Sequence, residues 1–203
     1  MSIIIRTRQI FFTCHEFSYN KIAEAYEPYL GLIRQMFHKY CSGTLEEFME
    51  ECDVYKLQRP VFESYFEKGF CERTEQILID EVEYEQERMR NSIVTMLQKL
   101  SEIRPVVIVL NRFQLASKST MQLSNSLLQV KNKNIGIVLG VNDVQSIPEF
   151  AHEEWDAICE SMDDRNMVYH IGNAGRNMEP DVMDYYSDYE SDDGYRKLNN
   201  LVY

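Results

Sequence analysis

The stretch Arg104-Pro-Val-Val-Ile-Val-Leu-Asn-Arg-Phe-Gln-Leu-Ala-Ser-Lys-Ser-Thr-Met-Gln-Leu-Ser124 decides how the rest of the chain reads. After Pro105 comes an unbroken apolar run, Val106 to Leu110. A run without polar alternation predicts a strand buried on both faces, as in a parallel sheet. It stops at Asn111-Arg112, so polar groups emerge at the carboxyl end of the strand. Open α/β sheets bind ligands at that edge. Ser117 or Ser119 then offers a cap for a helix carrying Met121, Leu123, Leu127 and Leu128.

The flanking sequence alternates in the same way. Upstream, Arg8 to Cys14 reads as a strand centred on Ile10, Phe11 and Phe12, and His15-Glu16-Phe17-Ser18 leaves it. A helix follows from about Ile22, regular from near Glu27 because Pro28 fits only a first turn. Thr44 or Ser42 caps a short helix, and Pro60 opens another. A long charged helix is expected from Glu72 to Ile103, with Val82, Met89, Ile93, Met96, Leu97 and Leu100 at helical spacing toward the sheet. Downstream, Ile135-Gly-Ile-Val-Leu-Gly140 reads as a buried strand ending in Val141-Asn142-Asp143. A helix around Glu149 to Met162, with Phe150, Trp155, Ile158 and Cys159 on its apolar face, leads to a short strand near Met167 to Ile171. This order predicts an α/β fold, a parallel sheet of at least four strands flanked by helices, over residues 1–172.

Residues 173–203 change in character. Seven acidic residues lie between Glu179 and Asp193 with no basic one among them, interleaved with Tyr185, Tyr186 and Tyr189. Like charges with little aliphatic content predict a flexible acidic tail.

Composition narrows the function classes. The 203 residues suit one domain with a tail, and 44% hydrophobic residues can build a core. A formal net charge of -12 gives no basic footprint, so neither nucleic acid nor an anionic membrane is an expected partner. Five cysteines without a Cys-x-x-Cys pair suggest neither a disulfide framework nor a zinc site, but reduced and mostly buried thiols in a soluble cytoplasmic protein. The Ile3-Ile4-Ile5 run is interrupted by Arg6 and Arg8, too soon for a signal peptide.

The frame Leu110-Asn-Arg-Phe-Gln-Leu-Ala-Ser-Lys-Ser-Thr120 resembles the Walker B strand and following turn of the STAND class of AAA-related P-loop ATPases, regulatory modules of many bacterial signalling proteins. Ile10 to Phe17, running on to Tyr26-Glu-Pro-Tyr-Leu-Gly-Leu-Ile33, resembles the second strand and helix of the same class. The resemblance covers roughly Ile10 to Gly172. It implies a P-loop NTPase-like sheet whose first strand is missing. It also implies a neighbour order in which Val106–Leu110 lies between Arg8–Cys14 and Ile135–Leu139. The two acidic Walker B positions hold Asn111 and Arg112, and Asn142 stands where the family has a polar sensor of the γ-phosphate.

The phosphate-binding motif of that class, G-x-x-x-x-G-K-[ST], does not occur; Lys118-Ser119 has no glycine before it. Only Met1 to Thr7 precede the strand at Arg8, so the chain is expected to begin downstream of the P-loop. No catalytic residue and no metal ligand is assigned. His15, His38, His152 and His170 are dispersed, and no nucleophile is fixed beside His15-Glu16. The first reading is a non-hydrolysing remnant or pseudo-ATPase module acting through contacts with a protein partner or with missing segments of a parent protein. The second is an ATP-binding half completed by a P-loop from another chain, the one case in which ATP and magnesium are expected. The third is a stand-alone interaction protein. A sheet open at its centre also predicts self-association.

Overall fold

The structure is a computed structural model. It describes residues 9–21, 23–69, 82–130, 132–141 and 147–163. The described residues fall within one unit, Met1–Asn166. Strand β1, Phe11–Glu16, leads through helices α1 (Tyr29–Tyr40), α2 (Leu45–Glu51), α3 (Arg59–Lys68) and α4 (Val82–Ile103) to β2, Val106–Asn111. A 3-10 turn at Phe113–Leu115 and helix α5 (Lys118–Gln129) lead to β3, Ile135–Leu139. A second 3-10 turn, Glu149–Ala151, enters α6, His152–Asp163. The protein is thus α/β.

The sheet has three strands among the described residues, in the order β1-β2-β3, all parallel. Phe11 stands opposite Val106 and Glu16 opposite Asn111, while Val106 stands opposite Ile135. The central place of Val106–Leu110 and both of its expected neighbours are therefore present. The strand expected near Met167 to Ile171, the sensor position Asn142 and the acidic tail lie outside the described residues.

Helix boundaries follow local chemistry. In α2, Thr44 accepts a bond from the Glu47 amide at 3.2 Å, and the Glu47 carboxylate accepts from the Thr44 amide at 2.8 Å, so the two satisfy each other's free donors. Of the two serines open as caps for α5, Ser117 serves, accepting from the Thr120 amide at 3.3 Å. Helix α1 begins later than expected, at Tyr29. Tyr26 sits at φ 61, outside helical dihedrals, so a regular turn cannot start near Glu27. The first strand is also displaced: it spans Phe11–Glu16, not Arg8 to Cys14, so His15 and Glu16 belong to the sheet. Parallel pairing with β2 as far as Asn111 carries it there.

Burial corrects a further expectation. The central strand is not buried on both faces. Val106, Ile108 and Leu110 are fully buried, whereas Val107, Val109 and Asn111 are half-buried. On the same face as Val107 and Val109, Phe12 is 51% exposed and Val138 53%. Topology explains the asymmetry. Both crossovers step in one direction across the sheet, and right-handed connections then place their helices on one face. Ile93, Met96, Leu97 and Leu100 of α4 are buried there, with Ile33 and Met36 of α1 and Met121 and Leu123 of α5. Four of the six residues expected at that spacing in α4 thus form the packed stripe, Met89 is partly buried against it, and Val82 at the start of the helix is exposed. The residues expected as its beginning, Glu72 to Asp80, lie outside the described ones.

Two smaller expectations fail for the same reason, position relative to that core. Phe150 is 64% exposed, because Glu149–Ala151 is a 3-10 turn before α6 and Ala151 takes the inward place. Of the four described cysteines only Cys52 is buried; Cys14 is exposed because it lies on the open sheet face, and Cys41 and Cys159 are half-buried. Among the described residues no helix is long and apolar enough to cross a membrane.

Candidate functional site

The carboxyl ends of the three strands form the candidate site. At the tip of β2, Arg112 takes a left-handed conformation, φ 54 and ψ 44, which is uncommon for a residue with a Cβ. The turn is clamped by main-chain bonds. The Gly140 amide donates to Leu110 O at 2.8 Å, the Phe113 amide to Gly140 O at 2.9 Å, and the Leu115 amide to Arg112 O at 2.9 Å. The end of β3 thus approaches Asn111 closely. A Cβ on residue 140 would lie 2.9 Å from Asn111 Oδ1, so a larger residue there would require the Asn111 side chain to shift.

Asn111 and Arg112 are brought together with β1, not with a metal or phosphate cradle. The Asn111 amide group donates to Cys14 Sγ at 3.8 Å. Arg112 Nε lies 3.2 Å from Glu16 Oε1, both side chains well exposed. Glu16, a carboxylate at this tip, is therefore engaged by the Arg112 guanidinium. The described residues at this tip do not fit a magnesium ion: Asn111 is uncharged and Arg112 repels a cation. Among the described residues no three His, Cys, Asp or Glu side chains converge as metal donors.

A small cavity of about 50 Å³ lies next to this tip, lined by His15, Glu16, Phe17, Ser18, Lys21, Ala23 and Glu27. It has room for ordered water rather than a nucleotide. Lys21 Nζ closes it by an ion pair with Glu27 at 3.0 Å. His15 packs edge-on against Phe17, ring centres 4.6 Å apart. Burial pushes the His15 imidazole below its ordinary value, Glu27 opposes that, and Lys21 adds to it.

A stability consequence follows from the sign. The unfolded chain takes up a proton near the ordinary value of 6.5, while the folded chain resists it. Folding stability from this residue is thus present above that pH and lost as pH falls below it. Replacing His15 with Asn is expected to flatten the fall in urea-unfolding midpoint between about pH 7 and pH 5. An unchanged slope would show that His15 is not the group responsible.

Helix α5 is fixed to the approach to α1 by three hydroxyls. Ser117 Oγ donates to Glu24 O at 3.1 Å, Thr120 Oγ1 donates to Glu27 O at 3.0 Å, and Tyr29 Oη pairs with Ser124 Oγ at 2.7 Å. Three features of the site escape a reading of the motifs alone. They are Glu16 as the counter-ion of Arg112, Gly140 as the residue that admits Asn111, and Gln114, fully buried with neither amide atom partnered. A parallel alignment of the strand tips would have paired Glu16 with Asn111; nothing local signals Gln114. Comparison of the chain with protein-family models, curated proteins and solved structures gave no match.

Proposed function

We propose that the chain is a non-hydrolysing module of a STAND-type bacterial regulatory ATPase, working through contacts with protein. The observation that carries this reading is the tip of the central strand. Parallel neighbours on both sides put Asn111 and Arg112 at the edge where open sheets bind ligands, and Arg112 is held by Glu16 there. A guanidinium balanced by a carboxylate neither holds a magnesium ion nor polarises an attacking water. The order β1-β2-β3 supports the same reading, since the resemblance implies it.

A second reading, an ATP-binding half completed by a P-loop from another chain, draws support from the open sheet face. Phe12, Val107, Val109 and Val138 form an apolar surface of the kind that α/β sheets cover with helices. A strand–loop–helix unit joining at β3 and returning toward β1 would run against the direction of the existing crossovers. Handedness would then lay its helix on this open face. Asn111, Arg112 and Asn142 would stand around the γ-phosphate. The third reading, a stand-alone interaction protein, needs no nucleotide at all.

Phosphate release from ATP by the purified chain separates these readings. No magnesium-dependent turnover is expected, and the double variant Asn111→Asp, Arg112→Glu is expected to stay inactive, because phosphate positioning supplies much of such catalysis. Turnover abolished by Asn111→Ala would overturn the first reading. Turnover that appears only when a P-loop polypeptide co-purifies would establish the second.

A further inference from the structure

At the end of the sheet opposite the Asn111 tip, α1, α2 and α4 enclose a groove of about 580 Å³. That volume holds several side chains of a peptide. Its floor is the buried pair Phe37 and Phe48, ring centres 5.1 Å apart, and its apolar rim is Ile103, which is 51% exposed at the end of α4. Its other wall is acidic. Glu47, Glu50 and Glu51 of α2 line it, against one lining cation, Lys99, which sits 3.4 Å from Glu51.

These carboxylates differ in how they are engaged. Glu47 is committed to the cap of α2, and Glu51 is shared with Lys99. Among the described residues no hydrogen bond or ion pair engages the Glu50 carboxylate. Helix α4 ends here with no basic residue in its last turn, so the negative end of its dipole adds to the wall. The Cys41 thiol in the groove is pushed up by burial and by the charge of Glu51. Two further cations, Lys39 and Arg104, are stacked on the ring of Tyr40, which lines the groove, at 5.4 Å and 4.9 Å from its centre.

We propose that this groove docks a basic amphipathic segment of a partner protein, its apolar side chains on Ile103 and over the floor formed by Phe37 and Phe48, and its Lys or Arg side chains against Glu50 and Glu51. Charge complementarity selects this occupant. An acidic segment meets repulsion from α2, and a purely apolar one leaves the Glu50 wall desolvated without compensation. A net charge of -12 on the whole chain also favours encounter with a cationic partner over an anionic one. This surface is separate from the strand tips, so it stands whether or not the chain belongs to an ATPase.

The test is fluorescence anisotropy with a fluorescein-labelled amphipathic Leu/Lys helix, and with its Leu/Glu counterpart, on the full chain. The Lys peptide is expected to bind and the Glu peptide not. Glu50→Lys is expected to weaken binding about tenfold, the size of a reversed exposed pair, and Ile103→Ser about threefold. Glu87→Lys makes the same change in net charge on an exposed turn of α4 far along the helix, and is expected to leave affinity within about twofold. Thermal melting of each variant shows that the fold is kept. Equal losses for Glu50→Lys and Glu87→Lys would reduce the binding to overall charge and overturn the proposal. Equal binding of both peptides would do the same. A dimer in sedimentation that Ile103→Ser disperses would assign the groove to a second copy instead.

Discussion

Phe113→Ala is expected to lower the free energy of unfolding by about 3–5 kcal/mol. Phe113 is the residue after Arg112, so it lies at the candidate site in sequence, yet its ring is fully buried. It meets Phe17 at 6.2 Å and Trp155 at 6.4 Å between ring centres. It therefore joins the exit of β1, the turn after β2 and helix α6. Truncation removes the ring from all three and leaves a cavity that clamped main chain cannot close. Urea unfolding measures the loss, and Phe113→Leu is expected to cost under about 1.5 kcal/mol because it refills much of the space. A loss below about 1 kcal/mol for the alanine variant would mean that α6 does not depend on this contact.

Gln114→Met is expected to act in the opposite direction, raising stability by about 1–3 kcal/mol. Gln114 is fully buried, and neither Oε1 nor Nε2 has a hydrogen-bond partner. Two desolvated polar atoms without partners cost more than an apolar side chain of similar length in the same space. The contrast is Gln58, also buried. Its Nε2 donates to Glu85 O at 3.2 Å, and its Oε1 accepts from Ser92 Oγ at 3.0 Å. Gln58→Met strips partners from Ser92 and is expected to destabilise by about 1–3 kcal/mol. If both variants lose stability alike, the Gln114 amide is satisfied in solution by a partner such as an ordered water, and the predicted gain disappears.

The two glutamines mark where sequence reasoning stops. Partnering depends on neighbours far along the chain: Gln58 is satisfied by Glu85 and Ser92 of α4, while Gln114 is fully buried with no partner. No local pattern distinguishes them. The groove at the far end of the sheet is similar. Its walls come from α1, α2 and α4, and spacing within each helix shows only which side faces the core.

What the sequence determined by itself is periodic or local. The apolar run Val106 to Leu110 specified a strand, though not its burial on one face only. The spacing of Ile93, Met96, Leu97 and Leu100 specified a helix packed on the sheet. Two pairs of hydroxyl residues, Ser42 or Thr44 and Ser117 or Ser119, marked the helix starts, and the structure chose Thr44 and Ser117. The polar pair Asn111-Arg112 specified the strand tip. These features are legible because each reports a preference met within a few residues. Only the tertiary structure decided which sheet face is covered, since that depends on the direction in which successive crossovers step. It alone paired Arg112 with Glu16, because the register of β1 on β2, 95 residues apart in sequence, is fixed by packing of the whole sheet and not by either strand, and it alone set Gly140 against Asn111 through the pairing of β3 with β2.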